Sequence, residues 1–259
     1  MRLGRRREAE HSGAEVGADR GELYRSWVRN KLSTTHEREA MEQAIGGEFD
    51  AVGAIECDLL ISQGLSTSGT VVDVGCGSGR LAIPLSAYLG PEGRYLGTDV
   101  VPDLLDYAKR QVGRPDWRFE AANGFKIPAA DDSADIVCFF SVMTHLRHEH
   151  SFLYLRQAKR VVKPTGRIVV SFLEFAQPAH WSIFRSGYRN PHAQKPLNQF
   201  MSRDGIQAWA EHLELDVEFI GGDEAVIPLR APVTMEHGET YSDRAPLGQS
   251  VAIFKRRTE

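Results

Sequence analysis

From Thr70 to the end of the chain, short apolar runs alternate with amphipathic stretches. VVDV, RYLGTDV, WRFEA, DIVCFFS, RIVVSFL, DVEFIG and SVAIFK read as seven strands. Between them, residues 80–89, 103–111, 152–162 and 203–213 read as helices. In the third of these, Phe152, Leu155, Ala158 and Val162 share one face, and Ser202 is placed to cap the fourth. KPTGR, before the fifth strand, reads as a turn. Strands of continuous apolar character separated by helices imply an α/β fold: a doubly wound, mostly parallel seven-stranded sheet covered on both faces.

Two further helices precede that sheet. Thr34-Thr35-His36-Glu37 has capping-box spacing and opens a helix through Ala44, which stops at Gly46-Gly47. A second, from Phe49, puts Val52, Ile55, Leu59 and Leu60 on one stripe and closes at Gly64. The pattern therefore predicts a disordered tail over 1–21, an N-terminal helical cap over 22–66 and the sheet domain over 67–259. Insertions at 174–201 and 222–249 interrupt the rhythm and leave from the carboxyl ends of strands, the edge where ligands bind in such sheets.

Composition narrows the class. The 259 residues are 42% hydrophobic and 25% charged, with a formal net charge of −4, which predicts no nucleic-acid partner. Cys57, Cys76 and Cys138 form no CxxC pair, so neither a zinc site nor a disulfide framework is expected. Arg5 to Arg7 are not followed by an apolar stretch, and the run over 136–143 is too short to span a bilayer. The expectation is a soluble, cytoplasmic protein that does not enter a membrane.

The chemistry starts at VVDVGCGSGR, where Gly75, Gly77 and Gly79 follow a strand at every second position. Gly75 and Gly77 let backbone amides approach a ligand, and Gly79 lets a helix pack closely. A dinucleotide fingerprint would need glycine at position 80, which is Arg, so the turn suits a smaller ligand. At the end of the second strand Asp99 can accept hydrogen bonds from both hydroxyls of a ribose. Asn123-Gly124, after the third, can address an adenine edge. Asp73 is a carboxylate inside an apolar strand and needs a partner, either in the turn or on a ligand ammonium.

VVDVGCGSGR, YLGTDV, FEAANGFKIP, DIVCFFSVMTHL and KPTGRIVVSF, in that order, resemble the class I S-adenosylmethionine-dependent methyltransferases, in their small-molecule branch. The likeness runs from about Thr70 to Lys255. It implies a Rossmann-like methyltransferase fold with S-adenosylmethionine as cofactor. Contacts are implied at Asp73, Gly75, Cys76 (through its backbone), Gly77, Gly79, Asp99, Val100, Asn123, Gly124 and Ser141. The position of Asn123 is more often Asp in that family, and Asn still offers an acceptor to the exocyclic amine.

THLRHEH places His145, His148 and His150 after the fourth strand, where methyl acceptors sit in that family. His145 is the candidate general base; ordering of the loop is the alternative, and no metal site is expected. That place reads SVMT rather than the (Asn/Asp)-Pro-Pro-aromatic run of amino-methylating enzymes, and it lacks the paired glutamates of protein arginine methyltransferases. What remains is metal-free in-line transfer to a small-molecule acceptor, a hydroxyl first, with nitrogen or carbon behind it. A cofactor-binding partner protein without turnover is the reading from another class. The inserted loops carry His180, Trp181, Phe184, Arg185, Tyr188, Arg189 and His192, then Arg230, His237 and Tyr241. This mixture suits an aromatic or anionic acceptor, a loop packing on itself, or a homodimer contact. Tyr24 and Trp27 are candidates for closing over the cofactor.

Overall fold

Thr70–Val74 (β1) is apolar except at Thr70 and Asp73, and Val71, Val72 and Val74 are buried. Removing each from water contributes about 1.5–3 kcal/mol. A computed structural model describes residues 26, 28–29, 37–46, 48–190 and 197–257. Tyr24, Trp27, Thr34, Thr35, Gly47, His192 and the 1–21 tail lie outside the described residues. Beside β1 lie Arg94–Asp99 (β2) and Ala134–Phe139 (β4); Arg118–Ala121 (β3) pairs with β2, and Val162–Glu174 (β5) with β4, all in parallel. Ser250–Arg256 (β12) runs antiparallel to β5 and to Leu215–Ile220 (β7). The order is β3-β2-β1-β4-β5-β12-β7, with the two-residue strand Phe200–Met201 (β6) paired to the end of β5.

Phe49–Ser62 (α2), Ala82–Tyr88 (α3) and Pro102–Val112 (α4) pack into one core with one face of the sheet. His148–Val161 (α5) and Arg203–His212 (α7) pack into a second core on the other. Ser202 Oγ caps α7 by accepting from Gly205 N–H at 3.4 Å. A third cluster joins Met41 and Ala44 of Glu37–Ala44 (α1) to Val28 and to Val101, Leu104 and Tyr107 at α4.

Three local readings change. KPTGR is not a turn but the opening of β5, whose bulged pairing with β4 absorbs the extra residues. The helix expected from Arg80 begins at Ala82, because Gly79 and its neighbours are held in the turn. The stripe on α2 understates its burial: Glu56 and Asp58 are buried as well. The outer face of α2 is covered by the second insertion, which folds into Ile227–Pro228 (β8), Val233–Thr234 (β9), Thr240–Tyr241 (β10) and Arg244–Ala245 (β11), with the antiparallel pair β9–β10 nested in sequence within the antiparallel pair β8–β11. The first insertion holds a helix, Pro178–Arg189 (α6), that the sequence pattern did not resolve.

Candidate functional site

The turn between β1 and α3 sits at the carboxyl edge of the sheet, held by Gly75 N–H and Cys76 N–H donating to Thr98 O at 2.7 and 2.9 Å. Gly75 and Gly77 have φ of 76° and 55°, the left-handed region where a side chain is strained. Space adds a second constraint. A Cβ on Gly75 would strike the Val142 side chain, and one on Gly77 would lie 2.7 Å from Ile45 Cγ2. A Cβ on Gly79 would lie 3.0 Å from Ala108 Cβ of α4, so its close packing is with α4.

Asp99 ends β2 beside that turn. One carboxylate oxygen accepts from Gly77 N–H at 3.0 Å and the other from Val101 N–H at 2.9 Å. Each retains a lone pair for a further donor. The side chain forms no ion pair among the described residues, and burial pushes its pKa up to about 6 despite the backbone donors. With no cation beside it among the described residues, this buried carboxylate has capacity left for further donors. Val100, next to it, is 37% exposed and offers an apolar surface.

Asp73 lies beneath the turn rather than in it. Tyr95 Oη donates to its carboxylate at 2.7 Å, and burial, reinforced by Glu56, raises its pKa to about 7. Its partners are therefore Tyr95 and the Cys138 thiol. The thiols are passive: burial drives Cys76 and Cys138 well above the usual range and Cys57 to about 12.

Asn123 is exposed after β3, and Gly124 O accepts from Tyr154 Oη at 3.1 Å. Ser141, after β4, is half-buried with φ of 60°. The three histidines do not converge. His145 Nδ1 pairs with Leu197 O at 2.6 Å, His148 Nε2 with Phe200 O at 3.0 Å, and the His150 ring lies tilted against Phe125. Among the described residues no group of three His, Cys, Asp or Glu could hold a metal ion. Because a carbonyl can only accept, His145 carries its proton on Nδ1, leaving Nε2 as the basic nitrogen. Partial desolvation lowers its pKa below the usual histidine value, opposed by the bond to Leu197.

The inserted loops divide. His180 is buried and structural: its Nδ1 accepts from Glu174 N–H at 3.1 Å and its Nε2 donates to Gly248 O at 3.0 Å, tying the two insertions together. Arg230 is bound to Asp58, and His237 to Glu48 and Glu239. Phe175, Trp181, Phe184, Tyr188 and Phe200 form a contiguous aromatic group on and beside α6. Sequence reasoning missed Ser171 and Gln249, which bond to Ser141; a serine in a strand and a glutamine in a loop carry no motif.

Residues 71–166, which span the glycine turn, Asp99 and the loop after β4, match the family described as methyltransferase domain. Over those residues the chain is similar to S-adenosylmethionine-dependent methyltransferases. Among its relatives, the demethylmenaquinone methyltransferase of Lactococcus lactis is 27% identical over 156 residues, 54% of this chain and 61% of that protein. That of Deinococcus radiodurans is 35% identical over 112 residues, 42% of this chain and 44% of that protein. The chain thus spans less than two thirds of the length of either. Its fold is similar to that of magnesium protoporphyrin IX methyltransferase from Synechocystis with bound S-adenosylhomocysteine (TM-score 0.57, 14% identity, 94% of this chain and 96% of that one). Among the described residues, no helix is long and apolar enough to cross a membrane.

Proposed function

We propose that this chain binds S-adenosylmethionine at the carboxyl edge of β1 and β2 and transfers its methyl group to a small-molecule acceptor bearing an aromatic hydroxyl. The observation that carries the reading is Asp99: a buried carboxylate without a cation, held by Gly77 and Val101 amides beside a turn that admits no side chain. The residues fit the cofactor. Asp99 would take the ribose hydroxyls, the Gly75 to Gly77 backbone would run beside the methionine moiety, and Val100 with Asn123 would flank the adenine. When bound, S-adenosylmethionine supplies an electrophilic methyl on a positively charged sulfur, so no metal is needed to drive transfer.

The protein's part is alignment, exclusion of water and removal of one proton. His145 Nε2 would take that proton from the acceptor hydroxyl, its lowered pKa keeping the imidazole neutral and ready at pH 7. An aromatic oxyanion is nucleophilic at oxygen and at ring carbons, so one base serves two outcomes. Oxygen methylation is the first reading. Ring-carbon methylation is the second, favoured by relatives named demethylmenaquinone methyltransferases.

The test is incubation with S-adenosylmethionine and a panel of phenols, catechols and hydroquinones, with products resolved by mass and by proton spectra. Methylated product, with a rate cut about 100-fold or more in His145→Gln, supports the reading. Cofactor binding without turnover on any acceptor, or full activity in His145→Gln, rejects the catalytic assignment.

A further inference from the structure

Ser141 holds a left-handed backbone, φ 60°, although it is not glycine. Such a conformation is strained for any residue with a side chain and persists where the surroundings dictate it. Here they do so at each polar group of the residue. Ser141 N–H donates to Ser171 Oγ at 2.7 Å; Ser171 Oγ–H donates to Gln249 Oε1 at 2.7 Å; Gln249 Nε2–H donates to Ser141 Oγ at 3.0 Å. Thr144 Oγ1 donates to Ser141 O at 2.7 Å. The first three bonds close a ring joining the ends of β4 and β5 to the last residue before β12.

The consequence lies next door. With Ser141 turned this way, Val142 packs over Gly75 so tightly that a Cβ there would not fit. Val142 O then accepts from His145 N–H at 2.9 Å, setting the start of the short 3-10 turn that carries His145. One strained residue therefore fixes both the surface facing the glycine turn and the position of the candidate base.

We infer that Ser171 and Gln249 are positioning residues for methyl transfer: by holding Ser141 left-handed they set Val142 against Gly75 and shape the wall of the cofactor site. The inference rests on the function proposed above. It gives the second insertion a role, since Gln249 is the point at which that insertion reaches the site.

The experiment is calorimetric titration of S-adenosylhomocysteine into the wild type, Gln249→Ala and the volume-conserving Gln249→Met, each with and without Ser141→Gly. Glycine adopts φ near 60° without strain, so it removes the need for the ring. Either Gln249 variant alone is expected to weaken binding about tenfold, a fraction of the strain it releases. Ser141→Gly in the same chain is expected to bring affinity to within about twofold of that of Ser141→Gly alone, the about 0.4 kcal/mol that this ratio represents. A merely structural role for Gln249 would lower the melting temperature without this selective rescue of affinity. Wild-type affinity in both single variants, or a loss that Ser141→Gly does not relieve, overturns the inference alone. Failure of the folded wild type to bind overturns the proposed function and the inference with it.

Discussion

Asp99 and Asp73 both pay for burial, and the sign of that cost can be measured. Their pKa values rise to about 6 and about 7, above the ordinary carboxylate value, so the folded state holds protons that the unfolded state has released. Their contribution to stability is therefore fullest at low pH and is lost as pH climbs through about 6 to 7. Asp99→Asn removes one of these groups: its melting temperature relative to wild type should rise between pH 5 and pH 8. A difference that stays flat or falls would show that Asp99 is not the buried titrating group. Ligand binding should run the other way, because ribose hydroxyls need the ionised carboxylate; S-adenosylhomocysteine affinity should grow from pH 5 to pH 7. Tyr95→Phe tests Asp73. It strips the phenolic donor at 2.7 Å and should cost about 1–3 kcal/mol in denaturant unfolding. A change within error would mean that the Cys138 thiol alone satisfies Asp73.

At the scale of elements, the joint that matters is between the glycine turn and the helices before β1. Arg80 donates to Glu56 of α2 (2.5 Å at Nη2, 3.3 Å at Nε) and to Ile45 O at 3.2 Å. Ser78 Oγ donates to Met41 O at 2.9 Å, and Gly53 lets α2 lie directly on the Arg80 backbone. Burial pushes Glu56 up even against the opposing pull of Arg80. Arg80→Ala should cost about 3–5 kcal/mol, because it leaves a buried carboxylate unpaired. Arg80→Met with Glu56→Leu should recover much of that in chemical denaturation. No recovery in the pair would place the cost in lost turn geometry rather than in the orphaned charge. In the sequence Arg80 was legible as the residue that broke a dinucleotide fingerprint, but its partner was not: Glu56 lies 24 positions earlier on a helix read as singly amphipathic. The inner strands, by contrast, were readable because β1, β2, β4, β5 and β12 are largely buried and so mostly apolar, whereas the edge strands β3 and β7 are only partly buried. KPTGR misled because turn-forming residues also tolerate a bulged strand end.

Across the whole molecule, the sheet and its two cores form a rigid base, while α6 is sparsely packed. His180 is its buried residue; Trp181, Ile183 and Tyr188 are exposed. Amide exchange in residues 182–189 should accordingly be much faster than in α5, whose inner face is buried against β4 and β5. Equal protection would mean that α6 is covered in solution. The insertions were visible in the sequence as breaks in rhythm, and their exit from the ligand edge followed from topology. Their contents were not, because His180, Arg230 and His237 take their roles from partners far along the chain. The central claim is that Asp99 and the glycine turn form an S-adenosylmethionine site. It is tested most directly by calorimetric titration of S-adenosylhomocysteine into the native chain and into Asp99→Ala. The account predicts binding by the native chain and a loss of about 1–3 kcal/mol in the variant. No binding by the folded native protein, or equal binding by both, would contradict it.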